Sequence, residues 1–181
     1  ITAYGMDLYH ELSLARLLKE IVKVCHSIEW IRLLYAFPAH VTDELIDVIA
    51  QEDKICKYID IPLQHISDHI LEKMNRNITT EGTKLLMDKC RAKVPEGSLR
   101  TTFIVGLPGE TAEDFHELLT FVRQTQFQKL GAFLYSREEG TLAYTMDHQV
   151  PDNIKKERLN KLMQLQQGIS REIQESFVGK K

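Results

Sequence analysis

An α/β fold built on a parallel sheet is what this sequence predicts, and two observations carry the prediction. Apolar runs rich in β-branched and aromatic residues alternate along the chain with segments of helical periodicity, the pattern of repeated βα units. One such unit is written out almost residue by residue at 99–115. There Thr101 to Val105 read as a buried strand, Gly106-Leu-Pro-Gly109 breaks it, and Thr111 with Asp114 offers a short-armed capping box for the next helix. Phe115, Leu118, Leu119 and Val122 give that helix one apolar stripe at i, i+3, i+4 and i+7. Alternation alone leaves open whether the sheet stays open or closes into a barrel.

The other elements follow in order. Residues 1–9 read as a polar loop, and Leu14, Leu17, Leu18, Ile21 and Cys25 have helical spacing. Residues 30–37 form the first predicted strand, stopped by Pro38, and Thr42 caps a helix with Leu45, Val48 and Ile49 inside. Residues 58–63 are the second strand; Pro62 within it has no N–H, which speaks against a fully paired central position or for a local bulge. Ser67 is read as the cap of a short helix through Ile70, Leu71 and Met74, and residues 80–92 as a helix carrying Leu85, Leu86 and Cys90. After the unit at 99–115, residues 129–136 make a fourth strand and 137–150 a loop. The last helix, 152–177, shows Leu159, Leu162, Leu165 or Gln166, Ile169 and Ile173, with the Lys155-Lys-Glu-Arg158 cluster read as a solvated face. The whole is read as a single domain, βα units over 1–150 and a C-terminal helix over 151–178.

Composition narrows the function classes. A length of 181 residues and 43% hydrophobic content suit one domain with a real core. The net charge of −3 lays down no general electrostatic footprint for nucleic acid. No run approaches the roughly 18 apolar residues of a membrane span. The N-terminus lacks the order of a signal peptide and begins without Met, so a piece of a longer protein is expected. Cys25, Cys56 and Cys90 have neither metal-ligand nor disulfide spacing; reduced structural thiols and a cytoplasmic setting follow.

In either architecture a ligand lies at the carboxyl ends of the strands. Those ends are Tyr35-Ala-Phe-Pro38, Gln64-His65, Gly106-Leu-Pro-Gly109 and Tyr135-Ser136, the polar, aromatic or glycine-bearing places in otherwise apolar strands. Side chains two apart share a face, so Arg100 goes with Thr102, Ile104 and Gly106, and Asp60 goes with Gln64. A charge in an interior needs a partner, and an Arg32–Asp60–Arg100 network is expected on that face.

The blocks Tyr35-Ala-Phe-Pro38, Thr42-Asp-Glu-Leu-Ile46, Cys56-Lys-Tyr-Ile-Asp-Ile-Pro-Leu-Gln-His-Ile-Ser-Asp68 and Arg100-Thr-Thr-Phe-Ile-Val-Gly-Leu-Pro-Gly-Glu-Thr111 lead on to Leu130-Gly-Ala-Phe-Leu-Tyr-Ser-Arg-Glu-Glu-Gly-Thr141, Gln164-Leu-Gln-Gln167 and Phe177-Val-Gly-Lys180. In this order they resemble the radical S-adenosylmethionine methylthiotransferases, and within them the RimO branch. The resemblance implies a radical-SAM, TIM-like partial (β/α)6 barrel, of which this chain supplies about the last four strands. It also implies that a CxxxCxxC loop holding a [4Fe-4S] cluster precedes it and a β-rich substrate-binding domain follows. None of Cys25, Cys56 and Cys90 matches a cluster ligand, so the metal ligands are expected outside this chain.

The implied activity is methylthiolation of the β-carbon of an aspartate in small-subunit ribosomal protein twelve, with S-adenosylmethionine as cofactor. The sister branch, which modifies an adenosine in transfer RNA, is the alternative, and an inactive α/β binding module is a second. Gln64-His-Ile-Ser67 resembles the protein-modifying branch, where the RNA branch usually has Gln-Ser-Gly, and the mildly acidic balance agrees. The resemblance places Gly106 and Gly109 against the nucleoside and sets Gln64, His65 and Ser67 to hydrogen-bond its ribose or amino-acid moiety. Arg100, with Thr102 on its face, would meet the carboxylate, and Tyr135 or Phe133 would pack the adenine. Glu110 is either a ligand contact or charge compensation at a helix N-terminus, and His65 fits a structural role as well as a ligand contact. No catalytic residue, sulfur donor or electron donor is assigned. The ribosomal protein is the expected partner, with neither a membrane nor nucleic acid expected for this part.

Overall fold

The computed structural model describes residues 1–179; Lys180, the end of the last motif, lies outside the described residues. The order of elements is α1 (Leu14–Val24), a 3-10 turn (Pro38–His40), α2 (Asp43–Gln51), β1 (Tyr58–Asp60), α3 (Asp68–Lys73), α4 (Thr80–Lys93) and β2 (Ser98–Val105). Then come α5 (Ala112–Thr125), β3 (Lys129–Leu134), α6 (Leu142–Thr145) and α7 (Asp152–Glu175). The strands lie in the order β1-β2-β3. The chain divides into two compact units, one of Ile1–Pro62 with Glu81–Arg100, the other of Leu63–Thr80 with the residues from Thr101 onward.

In the first unit β1 pairs in parallel with the start of β2, with Tyr58, Ile59 and Asp60 opposite Ser98, Leu99 and Arg100. Helices α1 and α2 pack together. Their stripes, Leu14, Ala15 and Leu18 with Leu45, Ile46, Val48 and Ile49, are buried, as are Ile59, Leu86, Met87 and Cys90. Thr42 caps α2 by accepting the Leu45 N–H at 3.1 Å. Of the predicted α4 stripe, Leu86 and Cys90 are buried but Leu85 is exposed. All three cysteines are free thiols, and burial pushes the Cys90 thiol up to about 11.

The first predicted strand does not form a ladder. Residues 30–37 hold only an isolated bridge from Ile31 to Ile55, and the Ala36 N–H donates to the Asp60 carbonyl at 2.8 Å. Trp30 and Tyr35 are 80% and 67% exposed, and Tyr35 sits at φ 65°, which ends any pleat. An apolar run becomes a strand only where a neighbour takes its backbone groups, and this segment is left at an edge. The expected charge network forms in part. Arg100 Nη1 lies 2.7 Å from Asp60 Oδ1, whereas Arg32 is not in it: its guanidinium stacks on Tyr58, 4.9 Å from the ring centre.

In the second unit the rest of β2 lies beside β3, and the Tyr135 N–H donates to the Val105 carbonyl just past the end of β3. Helix α7 packs on β3 and on α5. Burial alternates strictly along β2, with Thr101, Phe103 and Val105 inside and Thr102 and Ile104 half-buried. Phe103, Phe121 and Phe127 meet edge to face with ring centres 5.8–6.5 Å apart, and all three are buried. The capping box of α5 is complete, Thr111 and Asp114 each accepting the other's backbone N–H. Residues 137–150, predicted as loop, contain the short α6.

Pro62 marks a bulge. Asp60 stands opposite Arg100, but Gln64 next bridges Phe103, so the β1 side carries one residue more than β2. The Leu63 N–H turns to the Thr101 hydroxyl instead of a backbone carbonyl. Gln64 then takes φ 72°, with its N–H on the Thr102 carbonyl and its carbonyl on the Ile104 N–H. A non-glycine residue held in that region is backbone strain of the kind found where a strand end serves a ligand.

Candidate functional site

Around the loop that follows β2, the second unit builds one connected polar network. Gly106 and Gly109 have φ of 81° and 83°, which only glycine adopts freely. Glu110, whose side chain is fully buried, reaches back so that one carboxylate oxygen accepts the Gly106 N–H at 2.6 Å. Its other oxygen receives Arg158 Nη1 from α7 at 2.7 Å, and the same Nη1 lies 3.0 Å from the Glu110 carbonyl. Burial raises the Glu110 carboxyl, opposed by the Gly106 N–H and the Arg158 guanidinium. Arg158 also lies over the Phe115 ring.

Both glycines are hemmed in from within the unit. A Cβ at Gly106 would collide with the stem of Lys155, and one at Gly109 with the Lys73 ammonium. Lys155 Nζ continues to the Tyr135 carbonyl at 3.3 Å and stands over the Tyr135 ring, so α7 touches the loops after both β2 and β3. A cleft of about 680 Å³ opens beside this network, between Lys73, Thr111, His148 and Arg158.

His65 and Ser67 lie under the same loop. The His65 ring is fully buried, and its Nδ1 accepts the Ser67 N–H at 3.1 Å. That bond makes Nε2 the protonated nitrogen of the neutral ring; it has no hydrogen-bond partner, with Glu110 Oε2 3.8 Å away. Ser67 occupies the N-cap position of α3, yet its hydroxyl does not cap; it donates to Asp114 Oδ1 at 2.5 Å. His69 Nδ1 with the N–H and the hydroxyl of Thr111 complete the ring of partners on Asp114. Burial pushes the Asp114 carboxyl up, but the hydrogen bonds from Ser67, Thr111 and His69 outweigh it and hold it well below the ordinary carboxylate range.

Burial lowers His65 from 6.5 to about 4, the Asp114 charge opposing this and Arg158 and His69 reinforcing it. Between those pH values the unfolded chain binds a proton that the folded one refuses, so acidification removes stability, in all roughly 3 kcal/mol. Asp114 adds a loss at lower pH, as it falls through the ordinary carboxylate range, while Glu110, raised, acts with the opposite sign. Urea unfolding at pH 7 and pH 5 is therefore expected to show lower stability at pH 5. A His65→Asn variant, whose carbonyl can take the Ser67 N–H as an Asx turn, should flatten the dependence; an unchanged slope would place the titration elsewhere.

The expected site residues thus occupy distinct places. Gln64, His65, Ser67, Gly106, Gly109, Glu110 and Tyr135 gather at the strand ends of the second unit, with Thr102 on the half-buried face of β2. Arg100 belongs to the first unit, where Asp60 engages its Nη1. Lys155 and Arg158, read from sequence as a solvated face, are instead buried and nearly buried. Their signal was present: positions 155, 158, 162, 166 and 169 share one face of α7, the one that carries Leu162, Gln166 and Ile169 inward.

The strand ends leave an open face on β3, and the described residues offer no metal site. On β3, a Cβ at Gly131 would meet only Thr102 Oγ1 at 4.0 Å, so that face is open. Phe133 presents a 63% exposed ring, and the buried Tyr135 hydroxyl lacks a hydrogen-bond partner. Among the described residues no three His, Cys, Asp or Glu side chains converge to hold a metal ion, so an iron–sulfur cluster does not fit on them.

Parallel βα order with a polar, glycine-bearing loop at the strand ends defines a class, the α/β folds that seat ligands at the carboxyl ends of their strands. Residues 4–122 match the family model of the Radical SAM superfamily, and the chain belongs to that superfamily. It is 49% identical over 178 residues to the ribosomal protein uS12 methylthiotransferase RimO of Alkaliphilus oremlandii, covering 98% of this chain and 40% of that one. Against the enzyme of the same name from Bacteroides fragilis it is 48% identical over 182 residues, 100% of this chain and 42% of that one. The chain therefore spans about 40% of the length of such relatives. In fold it is similar to the Escherichia coli coproporphyrinogen III oxidase HemN, with a TM-score of 0.63, 18% identity and coverage of 81% of this chain and 35% of that one. It is likewise similar to the methyltransferase TsrM of Kitasatospora setae, with a TM-score of 0.55, 23% identity and coverage of 72% and 26%.

Proposed function

We propose that this chain is part of a radical-SAM methylthiotransferase that installs a methylthio group on the β-carbon of an aspartate in ribosomal protein uS12, working in the cytoplasm as a single domain of a longer protein. The observation that carries the reading is near-end-to-end similarity, 46–49% identity over 98–100% of this chain, to several relatives that bear that name. Among the described residues no helix is long and apolar enough to cross a membrane.

S-adenosylmethionine, when bound, supplies the radical that takes hydrogen from an unactivated carbon; this chain's residues bind and orient it. The open face beside Gly131, with Thr102 and the Phe133 ring, suits a nucleoside, and Gln64 and Tyr135 are its further contacts in this reading. His65, Ser67 and Glu110 support the loop from beneath, and Gly106 and Gly109 give it its course. The ligands of the [4Fe-4S] cluster lie outside this chain.

The test uses the full-length parent with its cluster reconstituted. Mass spectrometry of ribosomal protein uS12 and of transfer RNA is expected to find the methylthio group on the protein. A gain on RNA alone would overturn the reading.

A further inference from the structure

Helix α7 enters the second unit as a packing element, yet its first two turns do something that packing alone does not require. Lys155 and Arg158 project from one face of the helix onto two different loops. Arg158 binds Glu110 twice, through the carboxylate at 2.7 Å and the backbone carbonyl at 3.0 Å, and Glu110 in turn holds the Gly106 N–H at 2.6 Å. Lys155 fills the space over Gly106 with its stem and ties its ammonium to the Tyr135 carbonyl at 3.3 Å. The loop at the end of β2 and the chain just past β3 are thus fixed to the same rigid rod. A charge-assisted bond to a backbone group is short and directional, so it sets where a main chain lies as well as how firmly it packs.

Resting on the cradle reading above, we propose that Arg158 and Lys155 are positioning residues for S-adenosylmethionine: acting through Glu110, Gly106 and Tyr135, they hold the two cradle loops at the spacing the cofactor needs. Neither side chain has to touch the ligand. Their effect is carried by the main chain at Gly106 and Tyr135, whose displacement by an ångström would spoil a bound geometry.

The test is made in the full-length parent with its cluster reconstituted, reading S-adenosylmethionine affinity by calorimetry and backbone amide hydrogen exchange at residues 105–111. The double variant Glu110→Gln, Arg158→Met removes both charges together, so no buried charge is left unpaired, and the Gln carbonyl can still accept the Gly106 N–H. It is expected to weaken S-adenosylmethionine binding about tenfold and to speed exchange at Gly106. Arg158→Lys keeps one charged donor toward Glu110 and should hold affinity within about threefold of the parent. A merely structural role would lower the thermal midpoint of the double variant while leaving affinity and loop exchange at parental values, and that result overturns the proposal. Gly106→Val separates the two layers of inference. Lost binding in Gly106→Val with parental binding in the double variant sinks the positioning role alone, whereas unchanged binding in Gly106→Val sinks the cradle and the role with it.

Discussion

Replacing Arg158 by methionine, with Glu110 left in place, is expected to cost about 3–5 kcal/mol of stability. The reason is the company Glu110 keeps: its side chain is fully buried and Arg158 is the one cation within ion-pair distance among the described residues, apart from a His65 that stays neutral. Without the guanidinium, the carboxylate retains only the Gly106 and Leu107 backbone donors. Burial already raises the Glu110 carboxyl, and losing Arg158 raises it further. The sign then follows from linkage. A carboxyl whose folded pKa lies above its unfolded one costs stability as pH rises through that window, so the penalty is largest at neutral pH and shrinks on acidification. Urea unfolding of Arg158→Met at pH 7 and pH 5 would show both features, and Glu110→Gln in the same background should recover most of the loss at pH 7. A cost below about 1 kcal/mol would mean that the pair is hydrated and behaves like a surface ion pair.

That interaction also shows where sequence reading stops. The βα unit at 99–115 was legible because each of its parts is specified locally: a β-branched run, a glycine pair at positive φ, and Thr111 with Asp114 three residues apart. The bulge at Pro62 was legible for the same reason, since a residue without an N–H announces a gap in its ladder. The strand expected at 30–37 failed because strand formation depends on a neighbour rather than on composition. Trp30 and Tyr35 have strand-favouring side chains and stand mostly in solvent. Lys155 and Arg158 read as solvated because charge is the stronger cue in a helix, although the stripe of α7 points inward through both. For the site, the positions at strand ends came from topology alone. The internal uses of Ser67, His65 and Glu110 depend on partners 47, 2 and 48 residues away, and only the fold brings the distant ones together. Asp114, predicted only as a cap, turned out to join the cap, Ser67 and His69 in one carboxylate.

Phe103→Ala tests the packing on which that network stands, with an expected loss of about 3–5 kcal/mol. Phe103 is fully buried on the inward face of β2, two residues before the strand ends at Val105. Its ring meets Phe121 of α5 and Phe127 edge to face at 6.5 and 6.1 Å, and Phe121 and Phe127 meet each other at 5.8 Å. Truncation removes two of the three aromatic contacts, each worth about 0.5–1.5 kcal/mol beyond the area it buries. It also leaves a void that a β-strand held between β3 and the Gln64 bridge cannot collapse to fill. Phe127 is the link to the C-terminal helix, since its carbonyl accepts the buried Gln166 amide of α7 at 2.8 Å. A cavity at 103 therefore loosens the seat of α7 as well as β2, and α7 is the helix that carries Lys155 and Arg158. Phe103→Leu keeps most of the volume and should cost less than half as much, because a branched aliphatic side chain fills the space without the edge-to-face geometry. Equal losses for Ala and Leu in urea unfolding would show that ring geometry, rather than filled volume, holds the cluster together.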